Sequence, residues 1–111
     1  MTALALEAVR IRESAGLNDA LIARATGAAR STVRDWLAQR SSPTGDRAER
    51  VGELSAIVDR LPRVMQVDYI PVWLTRPIEA LDDEKPIDVI AHGEYRRVAQ
   101  VIAGLESPGA V

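Results

Sequence analysis

Apolar residues recur along this chain at steps of three and four, and the breaks in that rhythm fall at Gly, Pro and Asn. Leu4, Ala8, Ile11 and Ala15 share one face of a first predicted helix, residues 2–15, with Glu7, Arg10 and Glu13 largely on others. Gly16 ends it. Asn18 is a good N-cap for a second helix, residues 19–25, which turns Leu21 and Ile22 inward and places Asp19 favourably in its first turn. A third, residues 29–39, buries Val33, Trp36 and Leu37. Ser41, Ser42 and Pro43 mark a loop over residues 39–45. From Asp46 the helical pattern returns as a stripe of Val51, Leu54, Ile57, Val58 and Leu61, which Pro62 stops.

Proline punctuates the second half. The first turn of a helix has unpaired N–H groups anyway, so Pro77 and Pro86 each open a predicted short helix, residues 77–81 and 86–92. Gly93 suits the left-handed position that ends the second. Residues 94–106 then set Tyr95, Val98, Ile102 and Leu105 on one helical stripe, with Arg96, Arg97 and Gln100 on the other face. Residues 64–74 fit neither period: Met65, Val67, Tyr69, Ile70, Val72 and Trp73 are interrupted by Pro71, and we read a buried connector. Trp73 is read as core packing, with a partner hot spot as the alternative. The expected fold class is all-α, in two parts, residues 1–61 and 62–111.

Composition narrows the picture. A chain of 111 residues makes one domain or two very small ones that share contacts. The apolar fraction of 47% argues against disorder, and with 4% aromatics and no Phe the core must be Leu, Ile, Val and Ala. The absence of cysteine excludes a disulfide scaffold, a thiol nucleophile and a cysteine metal site. No secretory pattern opens the sequence and no apolar run approaches the ~20 residues of a membrane span, so a cytoplasmic location is expected. The net charge of -2 hides an asymmetry: residues 1–50 hold eight Arg against six Asp and Glu, residues 51–111 six Lys and Arg against ten. A weakly basic module joined to an acidic one suits two different partners, although such charge also serves solubility alone. Catalysis fits poorly, since there is one His, no Gly-rich phosphate loop after a strand and no Ser at a nucleophile elbow. Asp82-Asp83-Glu84 lacks the spaced ligands and turn Gly of a calcium loop. Neither an enzyme nor a bound metal or cofactor is expected.

One local motif is sharper. Ile22-Ala23, four residues to Gly27, and then Val33, Trp36 and Leu37 supply a small residue where two helices cross, a residue at ease with positive φ in a short turn, and the apolar anchors of the following helix. Over about residues 18–40 this resembles the helix-turn-helix of the Xre/Cro repressor family. The resemblance implies that residues 29–39 form a recognition helix whose first residues face the major groove, with Arg30, Ser31, Thr32 and Arg34 as readers. Arg can donate two parallel hydrogen bonds to guanine, and Ser or Thr can reach bases or phosphates. Arg40 and Arg47 flank the next loop and suit phosphates. The alternative is that Ser31 merely caps the helix and the arginines form a solvated face.

The order Trp73-Leu74, Pro77, Leu81, Lys85-Pro86-Ile87, Val89-Ile90, Gly93-Glu94-Tyr95 and Val98 resembles the toxin-binding domain of the Xre/MbcA/ParS family of antitoxins, across about the last 40 residues. Tyr95 stands where many relatives carry Gly, which looks like the MbcA-type branch, whose partners are RES-domain toxins. The resemblance implies a type II antitoxin: residues 1–61 would bind operator DNA and repress the operon, while residues 62–111 would block an NAD-consuming RES-domain toxin. It would act as a homodimer within a larger toxin-antitoxin complex and carry no cofactor. Toxin contacts are expected at Asp82, Asp83, Glu84 and Lys85, and at Arg96 and Gln100. They continue through Leu105 and Glu106 into the tail Ser107, Pro108, Gly109, Ala110 and Val111, because the C-terminal region of such antitoxins lies near the mouth of the toxin's active site. The acidic turn has the alternative of being simply solvated. Two other functions fit the same residues: a stand-alone helix-turn-helix regulator whose second half dimerises or senses something else, and a scaffold whose helix-turn-helix no longer binds DNA.

Overall fold

The side-chain oxygen of Asn18 accepts from the Leu21 N–H at 2.9 Å, so the second helix begins where a polar residue precedes an apolar run. The computed structural model describes residues 3–107. Its elements are α1 (Ala3–Ala15), α2 (Asp19–Thr26), α3 (Arg30–Leu37), α4 (Gly45–Arg60), α5 (Ile70–Leu74), α6 (Pro86–Ala91) and α7 (Tyr95–Glu106). Single 3-10 turns occupy Leu61–Arg63, Val67–Tyr69 and Glu79–Leu81. The fold is all-α.

The longest helix, α4, is the element on which the others assemble. It packs against α1, α2, α6 and α7, through Val51, Leu54, Ile57 and Val58, all buried. Opposite them α1 buries Ala5, Ala8, Ile11 and Ala15, small enough on most turns to let the two helices approach closely. A polar clasp joins the same pair: Arg10 donates to Glu7 at 2.8 Å and also to Ser55 and Asp59 of α4, and Ser55 donates in turn to Glu7. These bonds hold the Glu7 carboxyl below its ordinary range, the Arg10 guanidinium first and Ser55 second.

The chain turns from α2 into α3 at Gly27, which takes φ +74 and donates to the Ala23 carbonyl at 2.9 Å. Only glycine adopts that angle without a steric cost. Val33 and Trp36 then anchor α3 inward. The two halves share one core, which runs continuously from Ala8 to Ile102, with α2 packed on α6 and α4 on α7. Arg24 of α2 also donates twice to Asp88 of α6, both at 2.8 Å.

Several expectations need correction. Pro77 does not open an α-helix: Ile78 is extended, pairs with Glu84 across an isolated bridge, and encloses the 3-10 turn Glu79–Leu81. Closing that loop satisfies the backbone groups a helix would have used, with the Ile78 N–H donating to Glu84 at 3.1 Å. Pro71 does not interrupt structure either, but sits in the first turn of α5. The connector around it is not uniformly buried, for Ile70, Trp73 and Leu74 face the core while Val67, Tyr69 and Val72 are exposed. Trp73, at 7% exposure, is a core residue. Leu105 departs from the α7 stripe and is exposed, because α7 runs past the end of the core it covers with Val98 and Ile102.

Candidate nucleic-acid interface and partner surface

Because Val33 and Trp36 point into the core, the helical repeat turns Arg30, Ser31 and Arg34 outward, with Thr32 half-buried beside them. Ala29 caps α3 and offers no side-chain hydrogen bond, so Ser31 is not the cap and lies within the first turn. Arg40 follows the helix, exposed, and its Nε donates to Asp35 at 3.1 Å. Arg47, near the start of α4, forms no ion pair among the described residues. Arg30, Ser31, Thr32 and Arg34 therefore lie on the first turns of α3, and Arg40 lies beyond its other end.

A carboxylate that the periodicity treated as a helix-start charge lies among them. Asp19 accepts from Arg34 Nε at 2.7 Å through Oδ2 and from Arg30 Nη2 at 3.3 Å through Oδ1. Its side chain is 20% exposed, against 59% and 57% for the two arginines. The Arg34 hydrogen bond, followed by the charge of Arg30, holds the Asp19 carboxyl below its ordinary value of 3.8. Beside it Arg12, Asn18, Leu37 and Ala38 complete an open cleft of about 360 Å³.

The second group of candidates lies on α7 and the loop before α6. Asp82 and Asp83 take φ +56 and +62, angles that Asp tolerates better than most residues. Arg97 reaches across to Asp82 at 3.3 Å and to Glu84 and Glu94 at 3.5 Å each, so the acidic turn is partly neutralised from α7. Asp83 forms no ion pair among the described residues. Lys85 is half-buried as the N-cap residue of α6, while Arg96 and Gln100 are exposed. Gln100 shares a shallow depression with Ala80, Arg97 and Val101, which places it beside the acidic turn. Arg96 instead borders a different depression with Glu53 and Gly93.

Leu105 and Glu106 stand about 13 Å further along the helix, given 1.5 Å per residue from Arg97. Arg60 of α4 binds both carboxylate oxygens of Glu106, and this bond, with Arg63 nearby, lowers the Glu106 carboxyl from its ordinary value. Ser107 follows directly, whereas Pro108, Gly109, Ala110 and Val111 lie outside the described residues. The sequence-derived candidates thus divide into an acidic-turn group and a helix-end group. Val67, Tyr69 and Val72, read from the sequence as part of a buried connector, are exposed apolar side chains on and just before α5; their mixed periodicity was the available signal. Among the described residues no cluster of His, Asp or Glu is arranged to hold a metal, and no helix is long and apolar enough to cross a membrane.

No family model matches the sequence. The mycobacterial cidal antitoxin MbcA of Mycobacterium tuberculosis H37Rv is 34% identical over 71 residues, 64% of this chain and 63% of that protein. The protein of the same name from Mycobacterium bovis gives the same values. The match therefore spans less than two thirds of the length of these curated relatives. Among solved structures, a chain of the M. tuberculosis MbcT–MbcA toxin-antitoxin complex superposes with a TM-score of 0.87 at 28% identity, covering both chains in full.

Proposed function

We propose that the chain is an MbcA-like antitoxin that neutralises a cognate toxin by direct binding and represses its own operon. The observation that carries this is the superposition over the full length of both chains on a component of a toxin-antitoxin complex. The toxin is of the RES-domain, NAD-consuming class, so the NAD chemistry belongs to the partner and this chain needs no cofactor. Residues 62–111 form the toxin-binding part, through the acidic turn, Lys85, Arg96 and Gln100, and through Leu105 to Val111 at the toxin's active-site mouth. Residues 1–61 form the DNA-binding part, with α2, the Gly27 turn and α3 acting as a helix-turn-helix. Arg30, Ser31, Thr32 and Arg34 meet bases, and Arg40 a phosphate. The protein works in the cytoplasm as a homodimer within a larger complex, which suits a two-fold operator whose half-sites lie one helical turn apart.

This arrangement links its two functions through one core. Arg24 of α2 and Asp88 of α6 tie the proposed DNA-contacting helix pair to the proposed toxin-binding part. The direct test is co-expression with the neighbouring open reading frame. Growth rescue together with a co-purifying complex supports the antitoxin reading. A neighbour that is harmless and does not co-purify overturns it and leaves a DNA-binding regulator, for which the outward arginines of α3 are the supporting feature.

A further inference from the structure

We infer that Asp19 is a positioning residue for base recognition: it holds Arg34 with both terminal nitrogens facing outward and weakens the attraction of α3 for phosphates of any sequence. This rests on the reading of α3 as a DNA-contacting helix.

The first support is which nitrogen is used. Arg34 spends Nε on Asp19, at 2.7 Å, and no other ion pair of Arg34 occurs among the described residues. A guanidinium reads guanine O6 and N7 through two parallel N–H donors. With Nε held from behind, the Nη1 and Nη2 fork remains for that purpose, and its direction is set before DNA arrives. Such preorganisation removes part of the ordering cost of a long, flexible side chain.

Burial gives the second support. Asp19 is 20% exposed and sits behind two arginines that are more than half exposed, so the carboxylate backs the readers and does not compete with them at the surface. It cannot easily withdraw, because Asn18 caps α2 one residue earlier. A third support is charge. Arg30 and Arg34 share Asp19, and Arg40, beyond the far end of α3, pairs with Asp35, so each of these three candidate cations already faces a carboxylate. Phosphate contacts provide affinity without sequence information, whereas base contacts need geometry. A reader backed by an anion favours the second over the first.

The test selects duplexes from a random pool with the full chain, then measures binding to the selected site and to a scrambled duplex of equal length across a salt series. Asp19→Asn removes the charge and keeps an oxygen acceptor; Asp19→Ala removes both. The expected result is that both variants bind scrambled DNA more tightly, with a log–log salt slope steeper by about one. Asp19→Ala should also lose roughly 5-fold or more in discrimination, the low end of what one bidentate base contact supplies. Circular dichroism melts establish that each variant is folded, and Asp19→Asn decides the matter if the alanine variant is not. A purely structural role would weaken both duplexes in parallel and leave the slope unchanged, which overturns the inference. Wild-type chain that selects no site overturns the DNA-binding reading itself, and the inference with it.

Discussion

Replacing Gly93 by alanine separates two costs that the structure keeps distinct. Gly93 takes φ +85, in the left-handed region where a Cβ costs about 1–2 kcal/mol. That Cβ would also lie 2.8 Å from Nη2 and 3.3 Å from Cζ of Arg50, inside any normal contact, so the guanidinium must move. It is not free to move without loss, because Arg50 Nη1 donates to Glu53 at 2.6 Å and both side chains are mostly covered, 18% and 22% exposed. Displacing a charged hydrogen bond of this kind costs about 1 kcal/mol when the side chain can partly readjust. Gly93→Ala should therefore destabilise by about 2–3 kcal/mol. Gly16 is the internal control: its φ is +70 and a Cβ there meets nothing within 4 Å, so only the backbone cost remains. In thermal melts the Gly93 variant should fall about 10–15 °C and the Gly16 variant about half as far, at roughly 5 °C per kcal/mol for a domain of this size. In an Arg50→Ala background the Gly93 substitution should cost no more than the Gly16 one, which gives a coupling of about 1 kcal/mol in the double-mutant cycle. Equal losses at the two glycines, or an additive cycle, would refute the steric argument.

Three further outcomes are expected. Trp73→Ala should destabilise by about 3–5 kcal/mol in urea unfolding, because the ring is buried; a variant of unchanged stability would return Trp73 to the status of an interface residue. Glu7, Asp19 and Glu106 all have carboxyls lowered by arginine hydrogen bonds, so the stability they contribute is complete above the ordinary values of 4.5, 3.8 and 4.5 and is lost as pH falls through the lowered ones. Melts should thus be flat between pH 7 and about 5 and decline below, less steeply in an Arg10→Ala, Arg34→Ala, Arg60→Ala triple variant. A truncation ending at Leu105 should fold but fail to rescue growth against the toxin; full rescue would remove residues 106–111 from the inhibitory mechanism.

Helix limits were legible because their causes act over a few residues. An N-cap such as Asn18 bonds to an N–H three residues on, Pro86 opens α6 through its own ring, and Gly27 and Gly93 stop helices by the angle they alone adopt cheaply. The buried stripes of α1, α4 and α7 follow from a fixed helical repeat, so most of the core was in the pattern too. The reading failed where competing local preferences needed an outside arbiter. Pro77 is compatible with a helix start, but the pairing of Ile78 with Glu84 draws that stretch into a closed loop. Val67 and Val72 look like core residues by type, and only the way the 3-10 turn Val67–Tyr69 and α5 lie on the core shows that they face outward.

The candidate site divides in the same way. Which arginines face outward on α3 follows from the positions of Val33 and Trp36, and is a property of the sequence alone. That Arg30 and Arg34 share Asp19 is not, for the partners are 11 and 15 residues apart and meet only because the Gly27 turn brings α3 across the start of α2. Arg97 finds Asp82 over a similar separation, and Arg60 finds Glu106 across 46 residues. Periodicity reports the face a side chain occupies because it depends on its own helix. The identity of the charge opposite depends on how two helices cross, and that is decided by packing the whole core at once.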